Sequence, residues 1–87
     1  MTKLKKNDEV IARHENDEWV LFNPQTSAVH IVSYVGHEIY SLCDGLSKEN
    51  VYTQVIQKLQ IEDTSENKAY IYEFIENLIK RKVISEV

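Results

Sequence analysis

The chain has 87 residues, of which 43% are hydrophobic and 28% charged, and its formal net charge is −4 at pH 7. A chain of this length folds as one small domain, without room for the deep cavity of most enzymes. The acidic balance argues against nucleic-acid binding through overall charge, and the single cysteine excludes an internal disulfide. No apolar run approaches the roughly 20 residues of a membrane span, and no export signal follows the basic start, so a cytoplasmic location is expected.

The first third of the chain predicts strands. Residues 1–8 are polar and basic, and we expect a flexible segment there, followed by a single domain over residues 9–87. Short runs rich in β-branched and aromatic residues predict three strands, at residues 9–13, 19–22 and 28–32. The connections between them are short and contain turn residues such as Asn23 and Pro24. This pattern predicts an antiparallel β-meander.

The remainder predicts three helices, because apolar residues recur at 3–4 spacing. The helices are expected at residues 34–43, 48–59 and about 65–82. Ser33 and Ser47 are the expected caps of the first two, and either Asp63 or Thr64 caps the third. A three-stranded sheet needs helices to cover its apolar face. The sequence therefore predicts an α+β domain of winged-helix type, with a three-stranded antiparallel β-meander followed by three α-helices.

Two motifs stand in order along the chain. The run Asn23-Pro24-Gln25-Thr26 precedes the third predicted strand, and Tyr40-Ser41-Leu42-Cys43-Asp44-Gly45 ends the first predicted helix. Together with the closing pair Val83-Ile84, they make the segment from Trp19 to Ile84 similar to the PqqD-like family, also called RiPP recognition elements. The order and spacing of the motifs carry this resemblance, which covers about three quarters of the chain.

The segment departs from the family at three positions. Ser27 and Lys82 stand where the family often has Gly, and Ser33 stands where it often has Asn. Ser27 and Ser33 keep turn and cap chemistry. Lys82 leaves the geometry of the turn after the last helix open.

The resemblance implies a peptide-binding module that is not an enzyme and holds no cofactor. Members of the family bind the leader segment of a ribosomally made precursor peptide. They present it to a modifying enzyme, such as a radical SAM enzyme or a leader peptidase and cyclase system. The resemblance further implies that the leader adds as a strand to the third strand and lies against the third helix.

The residues themselves are consistent with strand addition. The third strand is apolar and lacks the Lys or Pro that discourages edge pairing, whereas charges flank the first strand. The alternative is that other parts of the chain cover this edge. Two flanks of the third helix are open as the groove wall, one with Lys68, Tyr72 and Ile79 and the other with Tyr70, Asn77 and Arg81. We favour the first flank, since an exposed apolar shoulder indicates a partner. The expected peptide-binding residues are therefore Ala28, Val29, His30, Ile31, Val32, Ser33, Lys68, Ile71, Tyr72, Ile75 and Ile79.

The histidines and the cysteine are residue types common in metal and catalytic sites, but the sequence lacks the further groups that such sites need. His14, His30 and His37 have no second ligand at the spacing of a helical zinc pair, so no metal site is expected. His30 is instead a candidate for contacting the leader or for sensing pH. Cys43 precedes Asp44 at a helix end, where a thiolate is disfavoured, and is expected to be a small buried hydrophobe.

A winged-helix DNA-binding regulator is the main competing function. Its helices would need a basic face, yet the second predicted helix has only Lys48 and Lys58, and the third balances its cations with carboxylates. A small subunit that only stabilises a partner is a further alternative. Neither nucleic acid nor a membrane is an expected partner. The oligomeric state is open between a monomer and a weak or swapped homodimer.

Overall fold

The structure is a computed structural model that describes residues 2–87. In this part of the chain five strands and three helices follow one another in the order β1 Leu4–Lys6, β2 Ile11–Glu15, β3 Glu18–Asn23, β4 Ala28–Val32, α1 Tyr34–Leu42, α2 Lys48–Lys58, α3 Ser65–Lys80 and β5 Ile84–Glu86. The expected α+β architecture, a three-stranded meander followed by three helices, is confirmed. No described helix combines the length and the apolar character that crossing a membrane requires.

The main sheet is antiparallel with the strand order β2-β3-β4. The third predicted strand, now β4, has the predicted bounds, and His30 of β4 pairs with Leu21 of β3. The first predicted strand lies two residues later than expected, at β2. Asn16 and Asp17 alone make the turn, with φ values of 50° and 64°, which suits a two-residue hairpin. All β2 side chains are exposed, so their sequence carries little alternation to fix the strand's position.

A second, two-stranded sheet joins the chain ends, where β1 pairs antiparallel with β5. The expectation that residues 1–8 are a flexible segment is therefore wrong for Leu4–Lys6. The Leu4 side chain is 1% exposed within the core. Its backbone is held by hydrogen bonds from Leu4 N to Leu46 O at 2.8 Å and from Gly45 N to Leu4 O at 2.7 Å. A single apolar residue beside two lysines gives too little pattern to predict this strand.

Side-chain caps set the start of each helix. The Ser33 hydroxyl accepts from Gly36 N, and the Ser47 hydroxyl accepts from Asn50 N. Thr64 rather than Asp63 caps α3, since its hydroxyl accepts from Asn67 N at 3.1 Å. These caps satisfy backbone donors that have no partner within the helix.

The core lies between the inner face of the main sheet and the three helices. The buried apolar residues come from every layer, and α3 supplies the central ridge through Ile71, Ile75 and Leu78. Val83 and Ile84 fold back into this core, as the sequence predicts. The packing places the C-terminal half of α3 beside β4.

Candidate functional site

The strand β4 forms one edge of the main sheet. It pairs with β3 on one side only, and no other strand within residues 2–87 pairs with it. No backbone–backbone hydrogen bond joins residues 28–32 to a described loop or helix, and the one bond to a loop side chain runs from Ala28 N to Thr26 Oγ1 at 3.3 Å. The alternative that the chain covers its own edge is therefore wrong for the part that the structure describes. Alternate residues of such an edge present unpaired N–H and C=O groups.

Side chains of β4 alternate between two environments, as in any strand. Ala28, His30 and Val32 are half-buried on the inner side. Val29 and Ile31 point to the outer face of the sheet and are 59% and 65% exposed. The strand therefore offers polar backbone at its edge and apolar side chains on both sides.

An open groove of about 290 Å³ separates β4 from α3. One wall is the strand itself, from Val29 to Val32. The other wall consists of side chains from the second half of α3 and the residue after it, namely Phe74, Asn77, Leu78 and Arg81. A groove beside an unpaired edge can receive the inward side chains of an added strand.

The flank of α3 that faces this groove is the one with Asn77 and Arg81, and our preference for the flank with Lys68, Tyr72 and Ile79 is wrong. Lys68 and Tyr72 face α2 instead, where the Lys68 ammonium lies 5.7 Å from the ring centroid of Tyr52. The Tyr72 ring meets the Tyr52 ring edge-on at 6.1 Å. The apolar shoulder that indicated a missing partner is thus already covered by the chain.

Four further predicted site residues lie behind or beside the groove. Ile71 and Ile75 are buried in the core and support α3 from within. Ile79 lies with residues of β1 and β5, on the other side of the helix. Ser33 caps α1, directly after β4. Of the predicted set, Val29, His30, Ile31 and Val32 line the groove.

His30 and Arg81 meet at one end of the groove. The Arg81 Nη1 lies 2.9 Å from His30 Nδ1. Since a guanidinium only donates, Nδ1 is the acceptor and the proton of the neutral ring is on Nε2. Burial, and secondly the charge of Arg81, lowers the pKa of His30. The ring is therefore neutral at pH 7, and its Nε2 is buried without a hydrogen-bond partner.

Gly36 on α1 leaves room for the Phe74 ring at the other end of the groove. A Cβ at Gly36 would lie 2.8 Å from the Phe74 ring and 3.2 Å from Val32 Cβ. A glycine is therefore required for the close approach of α1, α3 and β4. Phe74 follows the 3–4 spacing of apolar residues along α3, and nothing local in the sequence indicates its position near Val32.

The model of the family Coenzyme PQQ synthesis protein D (PqqD) matches residues 18–84. This chain belongs to the PqqD family. The resemblance carried by the sequence motifs is thereby confirmed, over nearly the same segment.

A solved structure shares the PqqD-family fold of this chain. It is described as TbiB1 in complex with the TbiA(beta) leader peptide, and it aligns with a TM-score of 0.70 at 23% identity. The alignment covers 92% of this chain and 93% of TbiB1. At this identity the likeness establishes the common fold. A search of curated proteins found no match.

The turn after α3 is where this PqqD-family chain has Lys82 in place of the usual glycine. Lys82 adopts a left-handed φ of 60°. Its carbonyl accepts from Asn7 Nδ2 at 2.9 Å and from the buried Asn23 Nδ2 at 3.4 Å. Asn23 also accepts from Gln25 N at 3.0 Å. The end of α3 is thus tied to the end of β3, which fixes the wall of the groove. The sequence indicated Asn23 as a turn residue but not this second contact.

The remaining candidates for chemistry have structural contacts. His14 and His37 stack on Trp19, with ring centroids 4.1 Å and 3.6 Å away. Cys43 is buried, as predicted, and its Sγ donates to Ile39 O at 3.1 Å. Burial raises the pKa of the Cys43 thiol to about 12, so the thiolate is scarce. Within residues 2–87 no three His, Cys, Asp or Glu side chains come together as a metal site.

The lysines of α2 are engaged in ion pairs. Lys48 contacts Glu76 and also lies 3.4 Å from Glu86, and Lys58 lies 2.6 Å from Glu38. Phosphate binding would compete with these carboxylates. The helix α2 therefore presents no free basic face to DNA, and no comparison supports the DNA-binding alternative.

Proposed function

We propose that this chain binds the leader segment of a ribosomally made precursor peptide by adding it as a strand to β4. The observation that carries the proposal is the unpaired edge of β4 beside an open groove on α3. Main-chain hydrogen bonds to the edge would supply affinity, and the groove would supply specificity. Membership of the PqqD family and the shared fold with TbiB1, whose structure contains a leader peptide, support the same function.

The two sides of β4 make the proposed complex specific for an extended peptide. Inward side chains of the added strand would enter the groove beside His30 and Val32, and outward ones would lie next to Val29 and Ile31. Cross-strand apolar pairs of this kind stabilise a sheet by about 0.2–1 kcal/mol each. A peptide with apolar residues on both faces would therefore bind better than a polar one.

In this proposal the domain itself does no chemistry. It holds the precursor while a modifying enzyme, such as a radical SAM enzyme or a leader peptidase and cyclase system, acts on the rest of the peptide. Such capture before maturation would take place in the cytoplasm. We propose a monomer as the binding form, because pairing of two β4 edges in a weak or swapped homodimer would occupy the same backbone groups.

Proline substitution tests strand addition. The probes are fluorescent peptides that tile the N-terminal part of each short reading frame beside the gene. Ile31→Pro removes an edge-strand N–H and restricts the backbone, so we expect affinity to fall by at least about tenfold. Ala12→Pro makes the same change on β2, the opposite edge strand. The pair Glu15–Glu18 closes a two-residue hairpin, so the N–H of Ala12 points away from β3, and this variant should leave affinity unchanged.

Anisotropy measures affinity, and circular dichroism checks that each variant is folded. Full affinity in a folded Ile31→Pro protein would contradict strand addition. If Ile31→Pro does not fold, chemical-shift mapping on the unaltered chain replaces it. Shifts at residues 28–33 and along the groove side of α3 are expected, and shifts confined to other surfaces would overturn the proposal.

A further inference from the structure

The groove between β4 and α3 is lined by a cation but by no anion. Of the eight residues that line it, Arg81 alone is charged at pH 7, since His30 is neutral there. No carboxylate lines the groove. In the part of the chain that the structure describes, Arg81 forms no ion pair, and His30 is its side-chain partner. One end of the groove is therefore cationic and lacks a counter-charge.

The groups around Arg81 are mostly donors. A guanidinium has five N–H donors, and the contact with His30 engages the Nη1 atom. Asn77, one helical turn earlier on the same flank, adds an amide. His30 Nε2 carries the ring proton but is buried, so the side-chain donors open to a ligand in the groove are those of Arg81 and Asn77. A carboxylate, which only accepts and can bind a guanidinium with both oxygens, is the side chain that best complements this set.

The opposite end of the groove is apolar. Phe74 and Val32 both pack against Gly36, and Leu78 continues the apolar floor toward Arg81. Along β4, the apolar end is thus at Val32 and the cationic end is at His30, two residues away. Inward side chains of an added strand recur at the same interval of two residues.

We propose that the groove selects a peptide with an Asp or Glu side chain opposite His30 and a large apolar side chain opposite Val32. Arg81 and Asn77 receive the carboxylate, and Phe74, Leu78 and Val32 receive the apolar group. The inference rests on the proposed strand addition, and it adds the chemistry of the segment that is recognised. The acid and the apolar residue are separated by one outward-facing residue.

A display library tests this selection without knowledge of the natural ligand. A random segment of about nine residues is displayed with fixed sequences at both ends, so that a terminal carboxylate cannot substitute for a side chain. Selection uses the full chain, the charge-reversed variant Arg81→Glu, and Lys80→Glu as a control with the same change in net charge. Lys80 does not line the groove.

The full chain and Lys80→Glu should enrich Asp or Glu with a large apolar residue two positions away. Arg81→Glu should keep the apolar preference and replace the acid by Lys or Arg. A selected peptide whose acid is changed to the amide should bind the full chain about tenfold more weakly. The same change should have little effect on binding to Arg81→Gln, which also serves if Arg81→Glu does not fold.

Two outcomes separate this inference from the proposed function. Selected peptides that protect the β4 amides but show no acidic preference, or the same preference in Arg81→Glu, would overturn the inference and leave strand addition standing. If no selected peptide protects the β4 amides, strand addition is contradicted and the inference fails with it.

Discussion

Arg81 donates a hydrogen bond to Nδ1 of His30 over 2.9 Å, across the gap between the end of α3 and the edge strand β4. The contact joins residues 51 positions apart in the sequence. Burial, and secondly the charge of Arg81, lowers the pKa of His30, and the contact fixes which ring nitrogen carries the proton. The groove therefore has a defined cationic end beside the backbone that we propose as the peptide-binding edge.

The titration of His30 should report this contact. Burial, followed by the charge of Arg81, lowers the pKa of His30 from its ordinary value of 6.5. Removing the charge by Arg81→Gln should raise that pKa, although burial should keep it below 6.5. Proton NMR of the imidazole resonances measures both values. An unaltered His30 pKa in Arg81→Gln would show that the guanidinium does not act on the ring.

The same shift predicts how stability depends on pH. Between the lowered folded-state pKa and 6.5, the unfolded chain binds more protons at His30 than the folded chain does. The free energy of unfolding should therefore fall as the pH is lowered through this range. His37 contributes with the same sign, because burial also lowers its pKa. Urea unfolding at pH 7.5, 6.5 and 5.5 measures the trend, and a rise in stability on acidification from 7.5 to 5.5 would contradict it.

Lys82→Gly should stabilise the domain. Lys82 adopts a left-handed φ of 60°, which a side chain with a Cβ disfavours and glycine accepts. Because glycine also has more freedom in the unfolded chain, we expect a net gain of only about 0.5–1 kcal/mol. The matched control is Lys80→Gly, within the last turn of α3, which should lose about 0.5–1 kcal/mol. Urea unfolding compares the two, and a loss of stability in Lys82→Gly would show that the lysine side chain contributes contacts.

Gly36→Ala should displace the Phe74 ring and thereby change the shape of the groove. The added methyl would lie 2.8 Å from the Phe74 ring, so the ring must move toward the groove or the helices must separate. We expect a loss of about 1–3 kcal/mol in stability and weaker peptide binding. Gly45→Ala is the control, because its φ of 91° is strained for alanine but nothing lies within 4 Å of the new methyl. It should lose about 1 kcal/mol without a change in affinity. If both variants bind the same peptide with equal affinity, Phe74 is not part of the peptide-binding site.

The sequence predicted most of the fold because its signals are local. Alternation and flanking turn residues gave the bounds of β4, and Ser33 and Ser47 marked the helix starts. The strand at Leu4 was missed because its one buried side chain is revealed only by pairing with β5. No local pattern connects the two ends of the chain.

The sequence predicted one wall of the candidate site, the strand β4, and missed the other, the flank of α3 with Asn77 and Arg81. The edge strand followed from its apolar, uncharged sequence, whereas the choice between two flanks of α3 depended on tertiary contacts. Tyr72 reads as exposed until its edge-on contact with Tyr52 is known. Arg81 reads as a charge that favours the helix end until its contact with His30 is known. These contacts depend on how α3 packs against α2 and β4. The spacing of residues along α3 does not determine that packing.

Hydrogen exchange of the β4 amides tests strand addition most directly. In the free chain, the outward amides of residues 28–32 should exchange quickly and the amides bonded to β3 slowly, with a period of two residues. A peptide that binds as an added strand should slow the quick set, while the amides of β2 at the opposite edge remain unchanged. Saturation by a bound peptide with undiminished exchange at every outward β4 amide would contradict the account.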